Sequence, residues 1–407
     1  MKKKRSKYKF LSTYLSLSGR YVFLSAILLM TGFYSHGQED KKEGKKEHRK
    51  EKAALRKEKR QEKIDQGKML ITPMIGPSYT PELQFTLAGL VMISFKTNPK
   101  DTLIQRSSAP INIGGSSTGA FFVGTKLTSF WKQDKYRIYA DLFYKKMPDN
   151  YYGVGFEQAF NTPKSDSTTK YTRAWFWFYP TFLFQFKKNQ FVGPGVDVNY
   201  TKGSDPSDGV ASDPYYQKYN DRPLNVGLGA VYQYDSRDIP INAWKGWFLQ
   251  VKAFVYSTYL GGDNNYGLFE VDYRNYFKIK RDGRTLAIQA RTRLTSGDVP
   301  YGEMSQIGTP FDLRGYHWGQ YRHQDMLYFI SEYRHQFIKK NGSLSKSGFV
   351  TWVGIGSIGE VVADFTQWLP NAGFGYRFEV QPRMNVRLDI GFGRHSQGIY
   401  FNINEAF

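Results

Sequence analysis

The sequence predicts an all-β protein, a 16-stranded transmembrane antiparallel β-barrel with a short charged N-terminal arm. Apolar and polar side chains alternate in many stretches from about residue 69 to the end of the chain. Aromatic residues make up 17% of the chain and glycine occurs 39 times, yet the mean hydropathy is only -0.54. A membrane barrel fits these observations, because its closed sheet pairs every backbone group and only its lipid-facing side chains must be apolar.

Residues 1–37 have the features of a secretory signal peptide. A basic run at 2–9 precedes an apolar segment at 21–33, and Ser35-His36-Gly37 offers a small-x-small cleavage site. An uncleaved membrane anchor is the alternative, but the apolar segment is short and a charged stretch follows it. We therefore predict export to the outer membrane of a Gram-negative bacterium. The chain has no cysteine, which excludes disulfides and a lipidated N-terminal cysteine.

Residues 38–68 form a Lys- and Glu-rich arm, which we predict to be periplasmic and either helical or disordered. Acidic residues such as Glu43, Glu47 and Glu51 recur among the basic ones at helical spacing, so the arm has no face of a single sign. We therefore expect no nucleic acid partner. The signal and the arm together contain twenty basic and eight acidic residues and supply +12 of the formal net charge of +21.

The barrel itself is predicted over 69–407. In the stretch 266–280, for example, Phe269 and Val271 share one face while Glu270 and Asp272 share the other. A soluble β-sandwich also alternates, but here aromatic residues and charges occupy opposite faces over more than three hundred residues, which favours lipid outside and a polar lumen inside. The sixteen predicted strands are 70–78, 83–96, 111–129, 135–146, 151–160, 171–187, 191–202, 223–235, 246–259, 265–280, 284–296, 325–338, 347–357, 370–380, 383–393 and 397–407.

The first and last strands are predicted to meet at the barrel seam. In the last strand Ile399, Phe401, Ile403 and Phe407 share one phase, which predicts a lipid-facing strand that continues to the terminal phenylalanine; Glu405 alone interrupts the phase. The first strand contains Gly76 and Pro77, and proline removes a backbone donor. The pattern therefore predicts a weakly paired seam.

The connection 297–324 contains the tetrapeptide Leu313-Arg314-Gly315-Tyr316. This tetrapeptide resembles the Val/Leu-Arg-Gly-Phe/Tyr signature of the BamA/TamA superfamily, the bacterial surface antigen group of outer-membrane assembly and secretion barrels. The resemblance extends through the C-terminal half of the chain in a fixed order. Its further elements are Asp235-Ser-Arg-Asp238, Leu260-Gly-Gly-Asp263, Gly297-Asp-Val-Pro300, Glu332-Tyr-Arg334 and the chain end from Gly391 to Phe407.

The resemblance implies that the connection folds back into the lumen and that Arg314 pairs with Glu332. A guanidinium in a partly dehydrated lumen is costly unless carboxylates accept its hydrogen bonds. The alternative is that Arg314 caps an exposed turn. The run Trp352-Val-Gly354-Ile-Gly356 has glycine where the family usually has aspartate, so Asp272, Asp389 or a water remain as candidates for a second partner.

The family usually carries POTRA domains before the barrel, and the arm is too short and polar to form one, so we expect a barrel without them. The resemblance implies help in inserting or translocating proteins, or lipid, at the outer membrane. Expected partners are outer-membrane lipid, unfolded outer-membrane proteins and a separate periplasmic or POTRA-bearing subunit. The alternative is a passive pore or structural barrel whose luminal arginines favour anions. These arginines are Arg274, Arg291, Arg377 and Arg387.

An enzymatic function is not expected. Residues 115–119 match Gly-x-Ser-x-Gly, but a nucleophile elbow needs a strand-turn-helix context that the surrounding pattern does not predict. A lipid-facing phospholipase site at His335 has no serine partner that spacing identifies. His317, His323 and His395 lack metal-ligand spacing. We therefore predict no catalytic residue, no metal and no cofactor.

Overall fold

The computed structural model describes residues 51–407, apart from 53, 56, 57, 81, 82, 102 and 103. The chain divides into two compact units between Glu62 and Lys63. In the first unit the described residues, which begin at 51, are helical. The predicted signal peptide and residues 38–50 of the arm lie outside the described residues. Within the described part of the chain, no helix is both long enough and apolar enough to cross a membrane.

In the second unit, sixteen described strands form a closed antiparallel barrel and two more form a separate hairpin. The hairpin consists of β12 (Ser305–Ile307) and β13 (Tyr321–His323). The barrel strands are β1 (Leu70–Thr80), β2 (Gln84–Phe95), β3 (Ser107–Ser116), β4 (Phe121–Trp131), β5 (Tyr136–Asn150), β6 (Lys170–Lys187), β7 (Gln190–Ser204), β8 (Leu224–Asp235), β9 (Gly246–Tyr256), β10 (Tyr266–Lys278), β11 (Arg284–Gly297), β14 (Asp325–Ile338), β15 (Leu344–Gly359), β16 (Leu369–Gln381), β17 (Met384–Gly393) and β18 (Ser396–Ile403).

The predicted fold class and the number of barrel strands are confirmed, but two strand predictions are wrong. The predicted strand 111–129 is two strands, β3 and β4, joined by a tight turn in which Gly119 has a φ of 84°. The predicted strand 151–160 is a connection that ends in the short helix α1 (Phe156–Asn161). Gly153 and Gly155 have φ values of 84° and 98° there, which breaks the extended backbone. The two errors cancel in the count.

The alternation of side chains matches a barrel wall with two environments. In β6, Phe178, Phe182 and Phe184 are exposed on the outer face, whereas Tyr179 and Leu183 are buried on the inner face. The same alternation runs through the whole of β7. A closed antiparallel sheet satisfies the backbone hydrogen bonds internally, so the outer face can present aromatic and aliphatic side chains to lipid.

The antiparallel order places successive connections at alternate ends of the barrel. We call the end where β1 begins and β18 ends the chain-end rim and the opposite end the far rim. The described chain-end connections are 96–101 with 104–106, 132–135, 188–189, 236–245, 279–283, 339–343 and 382–383. The described far-rim connections are 117–120, 151–169, 205–223, 257–265, 298–324, 360–368 and 394–395. They contain the hairpin and the short helices α1, α2 (Asp208–Ala211) and α3 (Pro214–Tyr219).

The strand pairing at the seam between β1 and β18 is short among the described residues. Among the described residues, β1 and β18 have one registered pair, Tyr79 with Phe401. On the other side of β18, β17 is in register with it along the whole strand, and β2 is in register with all of β1. Residues 70–77, which make up most of β1 from its chain-end side, therefore have no registered partner on the β18 side within the described part of the chain.

The prediction that the last strand continues to Phe407 with its side chain facing lipid is wrong. β18 ends at Ile403, Asn404 has a φ of 69°, and Glu405, Ala406 and Phe407 are buried inside the barrel. A strand continued in phase would place the Glu405 carboxylate against lipid, which is costly. Turned inward, Glu405 instead accepts a hydrogen bond of 2.8 Å from Arg377 Nε. We call residues 404–407 the C-terminal tail.

Candidate functional site

The connection 298–324, which we call the luminal loop, contains a turn that is held in place by the carboxylate of Asp312. Asp312 accepts hydrogen bonds from the backbone N–H groups of Gly308 (2.9 Å) and Thr309 (2.8 Å), and from the Thr309 hydroxyl (2.7 Å). Burial raises the pKa of Asp312 above its usual value, while these hydrogen bonds act in the opposite direction. The turn sets the position of the tetrapeptide Leu313-Arg314-Gly315-Tyr316 that follows it.

The guanidinium of Arg314 lies between two carboxylates on the inner wall. Its Nη2 is 2.6 Å from Glu332 Oε2 on β14, and its Nη1 is 2.7 Å from Asp389 Oδ2 on β17. All three side chains are 0% exposed. The guanidinium also stacks over the Trp352 ring, 3.6 Å from the centroid. The structure thus brings together the pair that the resemblance implied, and Asp389 supplies the second partner.

These contacts belong to a larger ionic network that we call the luminal network. Arg334 pairs with Glu332 at 2.8 Å, and Arg387 pairs with Asp389 at 2.8 Å. Arg377 bridges Asp389 to Glu405 in the C-terminal tail. Four guanidinium groups and three carboxylates therefore connect the loop, three strands and the tail, and each of these residues is buried. The members of the network are Arg314, Glu332, Arg334, Arg377, Arg387, Asp389 and Glu405.

Glycines give the loop its close approach to the wall. Gly315 has a φ of 120°, and a Cβ atom there would lie 2.6 Å from the backbone between Phe392 and Gly393. On β15, a Cβ atom at Gly356 would lie 2.8 Å from Leu313 Cδ1. The glycines in the run where the family usually has aspartate thus leave room for the Leu313 side chain, which is fully buried.

The loop is also hydrogen-bonded to β18 at the seam and to β16. Gly315 N donates to Tyr400 Oη at 2.9 Å on β18, and Tyr316 Oη donates to the Pro370 carbonyl at 2.6 Å on β16. The C-terminal tail meets the same network, because Arg334 Nη2 donates to the Phe407 carbonyl at 2.8 Å. Sequence reasoning missed Tyr400 and the tail, although a charged residue in an otherwise apolar phase, Glu405, was a visible signal.

The remaining predicted site residues lie along the seam. Gly76 and Pro77 are in the part of β1 that pairs with β2 but not, within the described residues, with β18. Ile399 and Ile403 are exposed on the outer face of β18, in phase with Phe401, which faces Tyr79 across the seam. The site therefore has two parts, a buried luminal network and a seam, which β18 and the C-terminal tail connect.

A cavity of about 560 Å³ lies next to the luminal loop, with Trp175, Trp177 and Trp318 among its lining residues. Glu303 of the loop also lines it, and Asn199 Nδ2 donates to Glu303 Oε2 at 2.9 Å. Burial, and then the charge of Asp197, raise the pKa of Glu303 to about 7. The cavity therefore contains a carboxyl group that titrates near neutral pH.

Comparison with sequence models of known families shows which family the barrel belongs to. The sequence model of the Omp85 superfamily domain matches residues 112–407. The chain belongs to the Omp85 superfamily. It is an outer-membrane β-barrel, and the predicted relationship to BamA and TamA is confirmed. A search of the curated proteins gives no match.

Solved structures support the Omp85 fold. BamA from Haemophilus ducreyi lacking POTRA domains 1–3 has a TM-score of 0.55 and 12% identity, over 83% of this chain and 70% of that one. CdiB from Escherichia coli has a TM-score of 0.54 and 9% identity, over 82% and 62%. CdiB from Acinetobacter baumannii has a TM-score of 0.51 and 12% identity, over 83% and 59%. This chain thus spans less than two thirds of the CdiB chains.

Replacing Arg314 with alanine is expected to destabilise this Omp85 barrel by about 3–5 kcal/mol, because Glu332 and Asp389 each lose a buried charge-assisted hydrogen bond, which contributes about 1.5–3 kcal/mol. Thermal unfolding in detergent, followed by the heat-dependent shift in gel mobility, measures the effect. Arg222→Ala is the matched control: Arg222 pairs with Asp298 at 2.9 Å, but both side chains are partly exposed, so its loss should cost less than about 1 kcal/mol. Equal stability of the two variants would contradict the proposed importance of the luminal network.

Glu303→Gln is expected to change the pH dependence of stability. Glu303 has a higher pKa in the folded chain than the ordinary 4.5, so the folded state binds more protons between about pH 4.5 and 7. Wild-type stability should fall as pH rises through this window, by up to about 3 kcal/mol. The glutamine variant should lack this decline and be more stable at pH 8. Glu157→Gln, at an exposed position, should keep the wild-type profile.

Proposed function

We propose that this barrel assists the insertion or translocation of proteins at the outer membrane and that its seam is the working surface. The short registration between β1 and β18 carries the proposal. Residues 70–77 of β1 present a strand edge in a wall that is otherwise in register on both sides. An exposed strand edge is a template on which another strand can add by backbone hydrogen bonds.

An unpaired strand edge in lipid has a high free energy, so it tends to pair with another strand. Each unsatisfied backbone group in the hydrocarbon region costs several kcal/mol, so a client strand that pairs with β1 removes a large unfavourable term. Pro77 has no N–H to donate, which shortens the stable pairing that β18 could make with β1. The edge therefore favours temporary pairing with a client over permanent closure.

The luminal network helps to keep the seam short. Arg377 and Arg334 bind Glu405 and the Phe407 carbonyl, and so hold the C-terminal tail inside the barrel. In that position the tail cannot extend β18 alongside residues 70–77 of β1. The network that fixes the luminal loop thus also withholds the residues that would close the seam.

A passive pore is less well supported. The luminal arginines that could favour anions are already paired, Arg274 with Asp272 and Arg291 with Glu270, and Arg377 and Arg387 with Asp389. The luminal loop, with Ile307, Leu313 and Tyr321 buried, occupies space that an open channel would need. Unfolded outer-membrane proteins, lipid and a separate POTRA-bearing subunit are the partners that the proposal implies.

Reconstitution in liposomes tests the proposal directly. The folding rate of an added unfolded barrel protein should be higher with the purified chain than with empty liposomes, while ion conductance of the same preparation should be small and intermittent. Large steady conductance without faster client folding would instead identify a pore. If a separate subunit delivers the client, a client already tethered to the liposome surface should still fold faster.

Locking the seam should abolish the activity. The chain contains no cysteine, so the double variant Tyr79→Cys and Phe401→Cys gives one defined disulfide across the seam, between residues that are registered opposite each other. The oxidised form should lose the acceleration of client folding, and reduction should restore it. The control is Val251→Cys with Val271→Cys, a registered pair between β9 and β10. Equal loss in the control, or none at the seam, would refute the role of the seam.

A further inference from the structure

Four lysines form an unpaired cluster on the chain-end rim. Lys132 and Lys135 lie in the turn after β4, Lys187 and Lys188 lie at the turn after β6, and all four are exposed. The two turns are joined by a hydrogen bond of 2.8 Å from Gln185 N to the Lys135 carbonyl. Among the described residues, none of the four ammonium groups is within ion-pair distance of a carboxylate. We call these residues the lysine cluster.

Asp134, the carboxylate nearest to the lysine cluster in sequence, is already paired with an arginine. Asp134 lies between Lys132 and Lys135 in sequence, but both its oxygens accept hydrogen bonds from Arg137, at 2.7 and 2.6 Å. Arg137 is buried and faces the lumen. Asp134 is therefore directed toward an internal arginine, and the positive charge of the lysine cluster is left available to an external anion.

An aromatic surface adjoins the lysine cluster on the outer face of the barrel. Trp131, Phe182, Phe184 and Phe186 are 42–53% exposed, and the Tyr136 ring stacks on Phe182 with centroids 5.8 Å apart. These residues come from three consecutive strands, β4, β5 and β6. The Nζ atoms of Lys132 and Lys135 are 5.6 and 6.0 Å from the Tyr136 ring centroid. The exposed lysines are therefore directly adjacent to the exposed aromatic rings.

We propose that this surface binds an anionic phospholipid, with the lysine cluster on the phosphate and the acyl chains against the aromatic rings. The arrangement matches an amphiphile with a negative headgroup, since aromatic residues and lysines favour the membrane interface and basic clusters attract anionic headgroups. An acidic soluble protein would use the lysines but not the rings, which lie on the face that the barrel presents to lipid.

The charge distribution between the rims agrees with this assignment. The chain-end connections contain thirteen Lys and Arg against four Asp, whereas the described far-rim connections contain six Lys and Arg against twelve Asp and Glu. Anionic headgroups are therefore attracted to the chain-end rim and repelled from the other. The lysine cluster is the part of that rim where the positive charge adjoins a continuous aromatic surface.

Lipid titration of the full chain in a neutral detergent, followed by native mass spectrometry, tests the proposal. Phosphatidylglycerol should bind at least tenfold more tightly than phosphatidylcholine. The quadruple variant Lys132→Gln, Lys135→Gln, Lys187→Gln and Lys188→Gln should lose at least tenfold in affinity for phosphatidylglycerol, whereas the corresponding four-arginine variant should retain it. The four substituted lysines are exposed, so the substitutions should not affect folding. The heat-dependent shift in gel mobility shows whether each variant remains folded.

The control removes the same charge from the far rim by replacing Lys164, Lys170, Lys202 and Lys218 with glutamine. Equal losses in the two quadruple variants would mean that net charge alone attracts the lipid and would overturn the assignment. Equal binding of phosphatidylcholine and phosphatidylglycerol would do the same. Inorganic phosphate in large excess should not displace the lipid, and full displacement would show that the cluster is a free-phosphate site instead.

Discussion

The pairing of Arg314 with Glu332 and Asp389 is the interaction on which the rest of the lumen depends. Two carboxylates and one guanidinium are fully buried there; removing either carboxylate leaves buried guanidinium charge without compensation, and removing Arg314 leaves two buried carboxylates each short of one hydrogen bond. The ion pairs among these side chains offset the cost of removing the charges from water. The three side chains come from three different elements: the luminal loop, β14 and β17. Arg314 can reach both carboxylates only when the loop crosses the lumen, so the network specifies the position of the loop.

The same charges also determine the shape of the seam. Glu332 and Asp389 each accept a second arginine, and these arginines, Arg334 and Arg377, hold the C-terminal tail. A barrel closes most stably when its last strand runs the full length of its first, and here three residues that could extend β18 are bound inside. The fold thus gives up backbone pairing at the seam and gains ionic contacts in the lumen.

The sequence predicted the wall of the barrel better than its interior. Alternation depends on neighbours two residues apart, so most strands were recognisable, whereas the turn at Gly119 and the buried Tyr151 and Tyr152 interrupt or imitate that pattern locally. Arg314 and Glu332 came from the resemblance. The choice of Asp389 over Asp272 depends on which strands the loop touches, and the tail depends on distant arginines. Neither is encoded in local spacing.

The location of the second carboxylate has a mechanical consequence. In place of the aspartate usual in the family, β15 has glycines that accommodate Leu313, and Arg314 instead pairs with Asp389 on β17. β17 is the neighbour of β18, and Tyr400 on β18 accepts a hydrogen bond from Gly315. The loop is therefore bound directly to β18, which forms one side of the seam, and to its neighbour β17. If a client displaces β18, the hydrogen bond from Gly315 to Tyr400 must break or move with it, and any factor that stabilises this contact must by linkage oppose displacement of β18.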